Sequence, residues 1–461
     1  MSDTTDNKIE NYNTHFQVKV IKLEETHIKD KLNPCLDEIN SELKENTSLI
    51  SKSPDTEILF SEPVSPTFSV CDLDPTSFQL RQEQEQEQEQ DLQSKFEEMH
   101  SRYDFCKTAT RNMANSHPPD ISGDDLKGVC GIANMGNTCY ANSCLQILRA
   151  AGDWTAFLLS TDLTGNKSPL CDTTTKESKV LIGYQDMLRV LWSASLPAFI
   201  RPMGWLGVVR EAVQNSVYEM FAHPIPNDSH EYLVWLLDNF HEALLFKDKC
   251  KKDYNNNVLE KDPWNQFIQK NNTRMADSFF GLIRKEIQCK SCFNHSISYE
   301  PFNVLKIPCL DPTRPFIEWF NNYFTDEELE DYACEKCNPV RTKAIIQYTL
   351  WRAPRNLFVS VRRFSPDGKK NNMPIPSEGT TTIDIRSVYN SAIISQGSVK
   401  TVYCLRGVVD HHGSHMGGHY TAQFYHPVSK HWWWIDDETA QFMSEPRFGG
   451  SNYIFLYRLD N

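Results

Sequence analysis

The stretch "GIANMGNTCYANSCLQIL" (residues 131–148) changes character half-way. A loop rich in glycine and asparagine gives way to a run with apolar residues at helical spacing. Cys139 stands at this change, directly after Asn137 and Thr138, which are residue types that cap helices. A helix N-terminus stabilises an anion through its dipole and its free N–H groups, so this position favours a thiolate. Its position therefore makes Cys139 a candidate nucleophile rather than an ordinary core cysteine, a redox residue or a metal ligand.

The second cysteine of the stretch, Cys144, falls on the apolar side of the predicted helix with Leu145 and Leu148. An isolated cysteine usually packs as a small buried hydrophobe. We therefore predict a structural role for Cys144. A thiol nucleophile also needs a base, and the base needs a group that orients it.

The segment "DHHGSHMGGHYTAQFYHPVSKHWWWIDDETA" (residues 410–440) offers both groups. His419 follows two glycines and begins an alternating pattern, and Asp436 ends a tryptophan-rich run seventeen residues later. Two antiparallel strands joined by the intervening loop would bring these side chains together. For His411, His412 and His415 the pattern favours exposed polar residues or a metal cluster.

Charge separates an acidic first quarter from a nearly neutral remainder. Residues 1–127 hold 13 lysines and arginines against 26 aspartates and glutamates, which is −13 of the chain's net −14. Segments such as "RQEQEQEQEQDLQSKFEE" (residues 81–98) have too little apolar surface to offset the entropy of folding. We predict a largely disordered tail over 1–127 and a folded domain over 128–461. The acidic balance also disfavours direct binding to nucleic acid, which needs a basic face.

The fourteen cysteines of the chain do not form the pattern of a disulfide framework. The N-terminal "MSDTTDNKIE" is polar and unlike a secretory signal, and no run approaches the ~18 apolar residues of a membrane span. We therefore expect no membrane attachment, reduced thiols and a cytoplasmic or nuclear location.

Two cysteine pairs have the spacing of a metal site. Cys289 and Cys292, and then Cys334 and Cys337, form two C-x₂-C turns with forty-one residues between them. This pattern predicts a structural Zn²⁺ held by four thiolates. Chance cysteines and a redox pair are the alternatives. The surrounding "KSCFNHSIS" and "ACEKCNPV" indicate turns rather than helix starts, which disfavours the redox pair.

The order of elements favours an α+β fold. Residues 140–260 have mainly helical periodicity, and segments such as "NLFVSVRRF" (residues 356–364) alternate as strands do. Helices that precede strands argue against a doubly wound sheet.

Several motifs together resemble those of the ubiquitin-specific proteases, the papain-like cysteine deubiquitinases. Residues 131–148 resemble their Cys box and residues 403–437 their His box, with "NDSHEYLVWLLD" (227–238) and "APRNLFVSVRRF" (353–364) between them in the family's order. The resemblance implies a papain-like fold composed of a helical thumb (about 128–272), zinc-bearing β fingers (about 273–350) and a β palm (about 351–461).

The resemblance also implies an activity: hydrolysis of the isopeptide or peptide bond after the terminal glycine of ubiquitin, with ubiquitin and ubiquitinated proteins as partners. Carried over by motif, the catalytic group consists of a nucleophile, a general base, its orienting carboxylate and an oxyanion donor, which are Cys139, His419, Asp436 and Asn134. Asp437 would support the oxyanion site through water. Asp228 would bind an arginine of the ubiquitin tail, and Tyr420 would line the tail's channel.

Two alternatives stay open at this point. A catalytically silent scaffold would bind ubiquitin without cleaving it, although the complete Cys–His–Asp set argues against this. A protease of the same fold could act on another ubiquitin-like modifier. Whether the acidic tail binds an adaptor protein is a further open hypothesis.

Overall fold

The computed structural model describes residues 126–165, 170–193, 197–245, 262–365, 367–389, 399–414 and 417–460. The disorder predicted for the tail falls on residues outside these ranges. Leu126 and Lys127, which were assigned to the tail, instead belong to the folded domain. Leu126 is buried, and the Lys127 carbonyl is hydrogen-bonded to His426 Nε2 at 2.7 Å. None of the helices in the described ranges combines the length and the hydrophobicity that crossing a bilayer requires.

The first half of the described chain is mainly helical. Its elements are β1 (Gly131–Ile132), α1 (Cys139–Leu148), α2 (Gly152–Ser160), α3 (Lys176–Leu191), β2 (Phe199–Ile200), α4 (Met203–Val213), α5 (Ser229–Leu244), α6 (Pro263–Asn271) and α7 (Arg274–Phe279). A short 3-10 helix, Glu219–Ala222, precedes α5. Every residue of α1 is buried, because this helix lies between α5 and the strands of a large sheet.

Within the described ranges, the large sheet has eight strands. Its elements, with one helix that packs on it, are β5 (Val304–Ile307), α8 (Phe316–Asn322), β8 (Asn356–Val361), β9 (Thr382–Asp384), β10 (Val402–Ser414), β11 (Gly417–Tyr425), β12 (Trp432–Asp436), β13 (Thr439–Met443) and β14 (Asn452–Leu459). The strands run in the order β13-β12-β11-β10-β14-β8-β5, and β9 pairs with β10. All pairs are antiparallel except β5 with β8.

A smaller antiparallel sheet carries the cysteine pairs. It consists of β3 (Gly281–Cys289), β4 (His295–Phe302), β6 (Glu327–Tyr332) and β7 (Thr342–Arg352), in the order β4-β3-β7-β6. Most side chains of β4 and β6 are exposed, so this sheet has little core of its own.

The elements β5 and α8 fall inside the range 273–350 that the sequence assigned to the fingers, but they belong to the large sheet. Strand β5 pairs with β8, and Leu305 joins Phe316 and Trp319 of α8 in the core cluster beneath that sheet. The reason is hydrophobic burial, because these apolar side chains have a core to enter only there.

One buried carboxylate joins the helical half to the large sheet. Asp153, in the first turn of α2, accepts hydrogen bonds from Asn356 Nδ2 of β8 at 2.8 Å and from Ser278 Oγ of α7 at 3.1 Å. Burial raises the pKa of this carboxyl. The charge of Arg458, the hydrogen bond from Asn356 and the charges of further arginines lower it more, so the pKa lies below its usual value. An ionised group therefore sits at this seam.

Candidate active site

Cys139 is the first residue of α1, where the sequence predicted a helix to begin. The preceding turn places Gly136 at φ +101° and Asn137 at φ +55°. The predicted cap is different in detail: the Thr138 side chain makes no capping bond and accepts the Met135 N–H at 3.0 Å instead. Asn134 Oδ1 accepts the backbone N–H groups of Gly136 and Thr138, each at 3.1 Å, so Asn134 holds the turn that presents the thiol.

The Cys139 thiol lies in a buried position, and burial raises its pKa above the ordinary value. The Asp437 charge raises it further, while backbone N–H groups, chiefly that of Tyr420, act in the opposite direction. The sequence predicted that the helix terminus would lower this pKa, but desolvation outweighs it. The thiol of the free protein is therefore protonated at neutral pH and needs a base.

An imidazole and a carboxylate lie side by side on β11 and β12. His419 Nε2 is 2.5 Å from Asp436 Oδ1. The register of these strands, in which Ala422 pairs with Ile435, makes the two residues diagonal neighbours. If Nε2 carries the hydrogen donated to Asp436, Nδ1 is left as the basic nitrogen of the ring.

The turn after β12 carries a second carboxylate, Asp437, which has a positive φ of +44°. Its Oδ2 accepts Asn134 Nδ2 at 2.9 Å, and its Oδ1 accepts Asn142 Nδ2 at 2.7 Å. Asp437 thus contacts the predicted oxyanion donor Asn134 directly. Burial raises the pKa of Asp437, and the two amides and the charge of His419 counteract that rise.

A groove of about 420 Å³ leads to Cys139. Its wall includes Asp228, Tyr420 and the glycines 417 and 418. Asp228 is the N-cap of α5: its Oδ1 accepts the N–H groups of His230 at 2.7 Å and Glu231 at 3.2 Å.

The carboxylate of Asp228 also accepts a hydrogen bond from a hydroxyl group near the C-terminal end of the described chain. Tyr453 on β14 donates to its Oδ2 at 2.8 Å. Both residues line the groove, and Tyr453 is buried. Nothing in the local sequence pattern of β14 distinguishes Tyr453 from a core tyrosine, so its contact with Asp228 is visible only in the structure.

One of the three histidines upstream of His419, His411, is not the exposed polar residue that the sequence pattern favours. His412 is exposed, as the pattern favoured, and His415 lies outside the described residues. His411 is buried, packs on the Tyr420 ring at 4.5 Å between centroids and lines the groove. Burial lowers its pKa to about 4, so it is neutral. A Cβ on Gly418 would come within 2.2 Å of the His412 backbone carbonyl oxygen and 2.4 Å of His411 Nε2, which explains the glycine.

Cys144 is fully buried, and its thiol donates to the Ser229 carbonyl at 3.1 Å. This agrees with the structural role predicted for it. The sequence missed Asn142, which lies on the same helix between the two cysteines and contacts Asp437. In the sequence Asn142 is a polar residue one turn after Cys139, and the structure buries it with the rest of this helix.

The four paired cysteines meet at the loops between β3 and β4 and between β6 and β7. Their sulfurs all lie within 4.8 Å of one another, with Cys289–Cys337 at 3.9 Å and Cys292–Cys334 at 3.5 Å. Four sulfurs in a tetrahedron around a zinc ion are about 3.8 Å apart, given bonds of ~2.3 Å. The cysteines among the described residues form no disulfides. This cluster could hold a metal ion.

Sequence comparison identifies related proteins. The family model described as ubiquitin carboxyl-terminal hydrolase matches residues 130–457. The ubiquitin carboxyl-terminal hydrolase Usp2 of Drosophila melanogaster is 28% identical over 343 residues, which cover 72% of this chain and 35% of that protein. Ubiquitin carboxyl-terminal hydrolase 2 of Rattus norvegicus is 24% identical over 355 residues, which cover 74% of this chain and 55% of that protein. The chain thus spans about a third to just over half of the length of these relatives.

Comparison of structures supports the fold. Ubp8 in the SAGA DUB module bound to monoubiquitin matches with a TM-score of 0.55 and 19% identity, over 76% of this chain and 73% of that one. The same module bound to ubiquitin aldehyde matches with a TM-score of 0.55 and 18% identity, over 74% and 71% of the two chains. At this level of identity the likeness describes the fold, which is the α+β arrangement that the sequence predicted.

Proposed function

The chain belongs to the ubiquitin carboxyl-terminal hydrolase family, and from that premise we propose that it is a deubiquitinating cysteine protease. It hydrolyses the isopeptide or peptide bond that follows the C-terminal glycine of ubiquitin. Its partners are ubiquitin and proteins conjugated to ubiquitin. The observation that carries this proposal is the hydrogen-bonded pair of His419 and Asp436. The residue after His419 on β11, Tyr420, supplies the backbone N–H that faces the Cys139 thiol.

The reaction begins with transfer of the Cys139 proton to Nδ1 of His419. Asp436 favours this transfer because its carboxylate holds the Nε2 hydrogen and stabilises the imidazolium. The raised pKa of the buried thiol means that the thiolate forms with the help of the base rather than ahead of it.

The thiolate then attacks the carbonyl carbon of the terminal glycine of ubiquitin. The carbon–nitrogen bond of the tetrahedral intermediate breaks, the leaving amine takes the proton from His419, and ubiquitin remains on Cys139 as a thioester. A water molecule that gives its proton to His419 attacks the thioester and releases the carboxylate of ubiquitin and the Cys139 thiol.

Asn134 is the proposed side-chain donor to the oxyanion. Its Oδ1 is held by the turn and its Nδ2 gives one hydrogen to Asp437, so the second Nδ2 hydrogen has a fixed direction. A donor fixed in advance in this way contributes about 3–4 kcal/mol to the transition state in comparable sites.

The groove is the proposed channel for the tail of ubiquitin, which ends in Arg-Gly-Gly. Gly417 and Gly418 add no side chains to one part of its wall, which suits a narrow passage for two glycines. Asp228 would bind the arginine of the tail, since its carboxylate lines the groove, and the Tyr420 ring would form the side of the channel.

The proposed metal is a structural Zn²⁺ held by Cys289, Cys292, Cys334 and Cys337, since the spacing of their sulfurs fits tetrahedral coordination. Such an ion supplies cross-linking energy to the small sheet. The same thiolates fill all four coordination positions, so the site has no catalytic part.

The test is hydrolysis of ubiquitin that carries a fluorophore on its C-terminus. We expect turnover by the wild type, none by Cys139→Ala, and near-normal turnover by the matched control Cys144→Ala. Ubiquitin-like modifiers with the same fluorophore test the substrate class. Binding of ubiquitin without turnover would identify a silent scaffold, and turnover of another modifier alone would identify a different protease.

A further inference from the structure

Asn142 lies in the fully buried helix α1, one turn after Cys139, and is 4% exposed. Its Nδ2 group donates to three oxygens: Asp437 Oδ1 at 2.7 Å, the Ile132 carbonyl at 3.0 Å and the Ala133 carbonyl at 3.3 Å. These acceptors belong to β1, the residue after it and the turn that follows β12. One amide therefore joins the helix of the nucleophile to two neighbouring segments.

The segments that Asn142 contacts are also locked to each other. The Ile132 N–H donates to the Asp437 carbonyl at 2.8 Å. A Cβ on Gly131 would come within 2.5 Å of the Glu438 carbonyl, so the two backbones touch. Asp437 has a positive φ there, an uncommon backbone conformation that aspartate adopts more readily than most residues other than glycine.

Both carboxylate oxygens of Asp437 are used. Oδ1 accepts Asn142, and Oδ2 accepts Asn134 at 2.9 Å. The hydrogen bond from Asn142 to Oδ1 therefore fixes the rotation of the Asp437 carboxylate. The Oδ2 atom of the same carboxylate then fixes the plane of the Asn134 amide. Building on the proposed function, we propose that Asn142 is a positioning residue that acts through Asp437 to aim the Asn134 amide at the oxyanion.

The charge on Asp437 matters for this arrangement, because only the ionised carboxylate accepts on both oxygens. The groups that face it are Asn134, Asn142, His419 and Cys139, together with Glu438 on its own turn. Burial and Glu438 favour the neutral form, whereas the two amides and His419 favour the ionised form. Loss of the Asn142 amide should therefore raise the pKa of Asp437 further.

The experiment compares Asn142→Ala with Ser143→Ala, a control that removes another buried hydrogen bond of the same helix, from Ser143 Oγ to the Tyr140 carbonyl. Asn142→Ser, which keeps a short donor, replaces the alanine variant if that variant does not fold. Three rates or affinities are measured on the full chain: hydrolysis of the fluorogenic ubiquitin, inhibition by ubiquitin aldehyde, and alkylation of Cys139 by iodoacetamide.

We expect kcat to fall about tenfold or more, since removal of a whole oxyanion donor costs about 10²–10³. Affinity for the aldehyde, which forms a tetrahedral adduct with an oxyanion, should fall by a similar factor. KM and the alkylation rate should stay within about twofold, because neither involves an oxyanion. The Ser143→Ala variant should keep its kcat.

A double-variant cycle gives the decisive comparison. If Asn142 acts through Asn134, adding Asn142→Ala to Asn134→Ala should cause no further loss of kcat. Additive losses, an equal fall in alkylation, or an equal loss in Ser143→Ala would each overturn the positioning role. A wild type that fails to hydrolyse ubiquitin would refute the proposed function instead, which separates the two failures.

Discussion

Replacing Asp228 by asparagine separates two roles of one side chain. The carboxylate caps α5 through Oδ1, receives the Tyr453 hydroxyl on Oδ2 and lines the groove. Asparagine keeps an acceptor oxygen for the cap, and it is as good a capping residue as aspartate. Asp228→Asn therefore removes the charge and leaves the start of the helix in place.

The expected size of the effect follows from these contacts. A hydrogen bond to a charged group contributes about 1.5–3 kcal/mol and a neutral one about 0.5–1.5 kcal/mol, so loss of the charge weakens binding of an arginine by about 1–1.5 kcal/mol. That corresponds to about a tenfold rise in KM, with kcat little changed. The Tyr453 hydroxyl also lies 3.1 Å from Oδ1, so asparagine can keep an acceptor for it and stability should fall much less than in an alanine variant.

Asp228→Ala is the matched comparison. It removes the cap, which costs about 1 kcal/mol. It also leaves the buried Tyr453 hydroxyl without its acceptor, which costs about 1–3 kcal/mol more. This variant should therefore lose both stability and affinity, so its melting temperature should fall clearly below that of Asp228→Asn.

The assay is steady-state hydrolysis of fluorogenic ubiquitin, repeated with ubiquitin whose tail arginine is replaced by alanine. The two changes should not add, because each removes one side of the same contact. If Asp228→Asn lowers kcat and leaves KM unchanged, or if the losses add fully, Asp228 does not bind the tail arginine.

Three further predictions concern the metal, the pH dependence of stability and the tail. If the four cysteines hold the proposed zinc, Cys334→Ser should release it, and with it about 10 kcal/mol or more of binding energy, and should disorder the small sheet. Cys309→Ser, outside the cluster, should keep one zinc per chain by elemental analysis. Burial, opposed by a hydrogen bond from Asn303, raises the pKa of Asp238 to about 7. The native state therefore holds this proton more tightly than the unfolded chain does, and the stability that the proton provides is lost as pH rises from about 4 to 7. Asp238→Asn should raise the melting temperature at pH 8 and have little effect on it at pH 4. An equal effect at the two pH values would contradict this. Deletion of residues 1–120 should leave a single cooperative melt, whereas aggregation would show that the tail contributes to the fold.

The sequence could predict the chemistry of the site because local patterns carry it. The turn before Cys139 and the glycines before His419 are visible in single segments, and the antiparallel pairing of β11 with β12 follows from the intervening loop. The paired spacing of the four metal-site cysteines is also a local signal. In each case the residues that identify a group are its neighbours in the chain.

Other parts of the site depend on contacts between distant segments. Tyr453 lies 225 residues from Asp228, and Asn142 lies 295 residues from Asp437. The residue pattern within one segment does not indicate which distant residue will become its hydrogen-bond partner. The raised pKa of Cys139 is of the same kind, because it results from burial by the finished fold, which opposes the local effect of the helix terminus.

The carboxylate of Asp153 has a consequence for how the protein can move. Drawing α2 away from β8 would remove the Asn356 hydrogen bond from an ionised, buried carboxylate. Stripping a buried charge of one partner typically costs 3–5 kcal/mol. Separation of the helical half from the large sheet is therefore disfavoured during turnover. The slowest amide exchange should cluster around β8, every residue of which is buried.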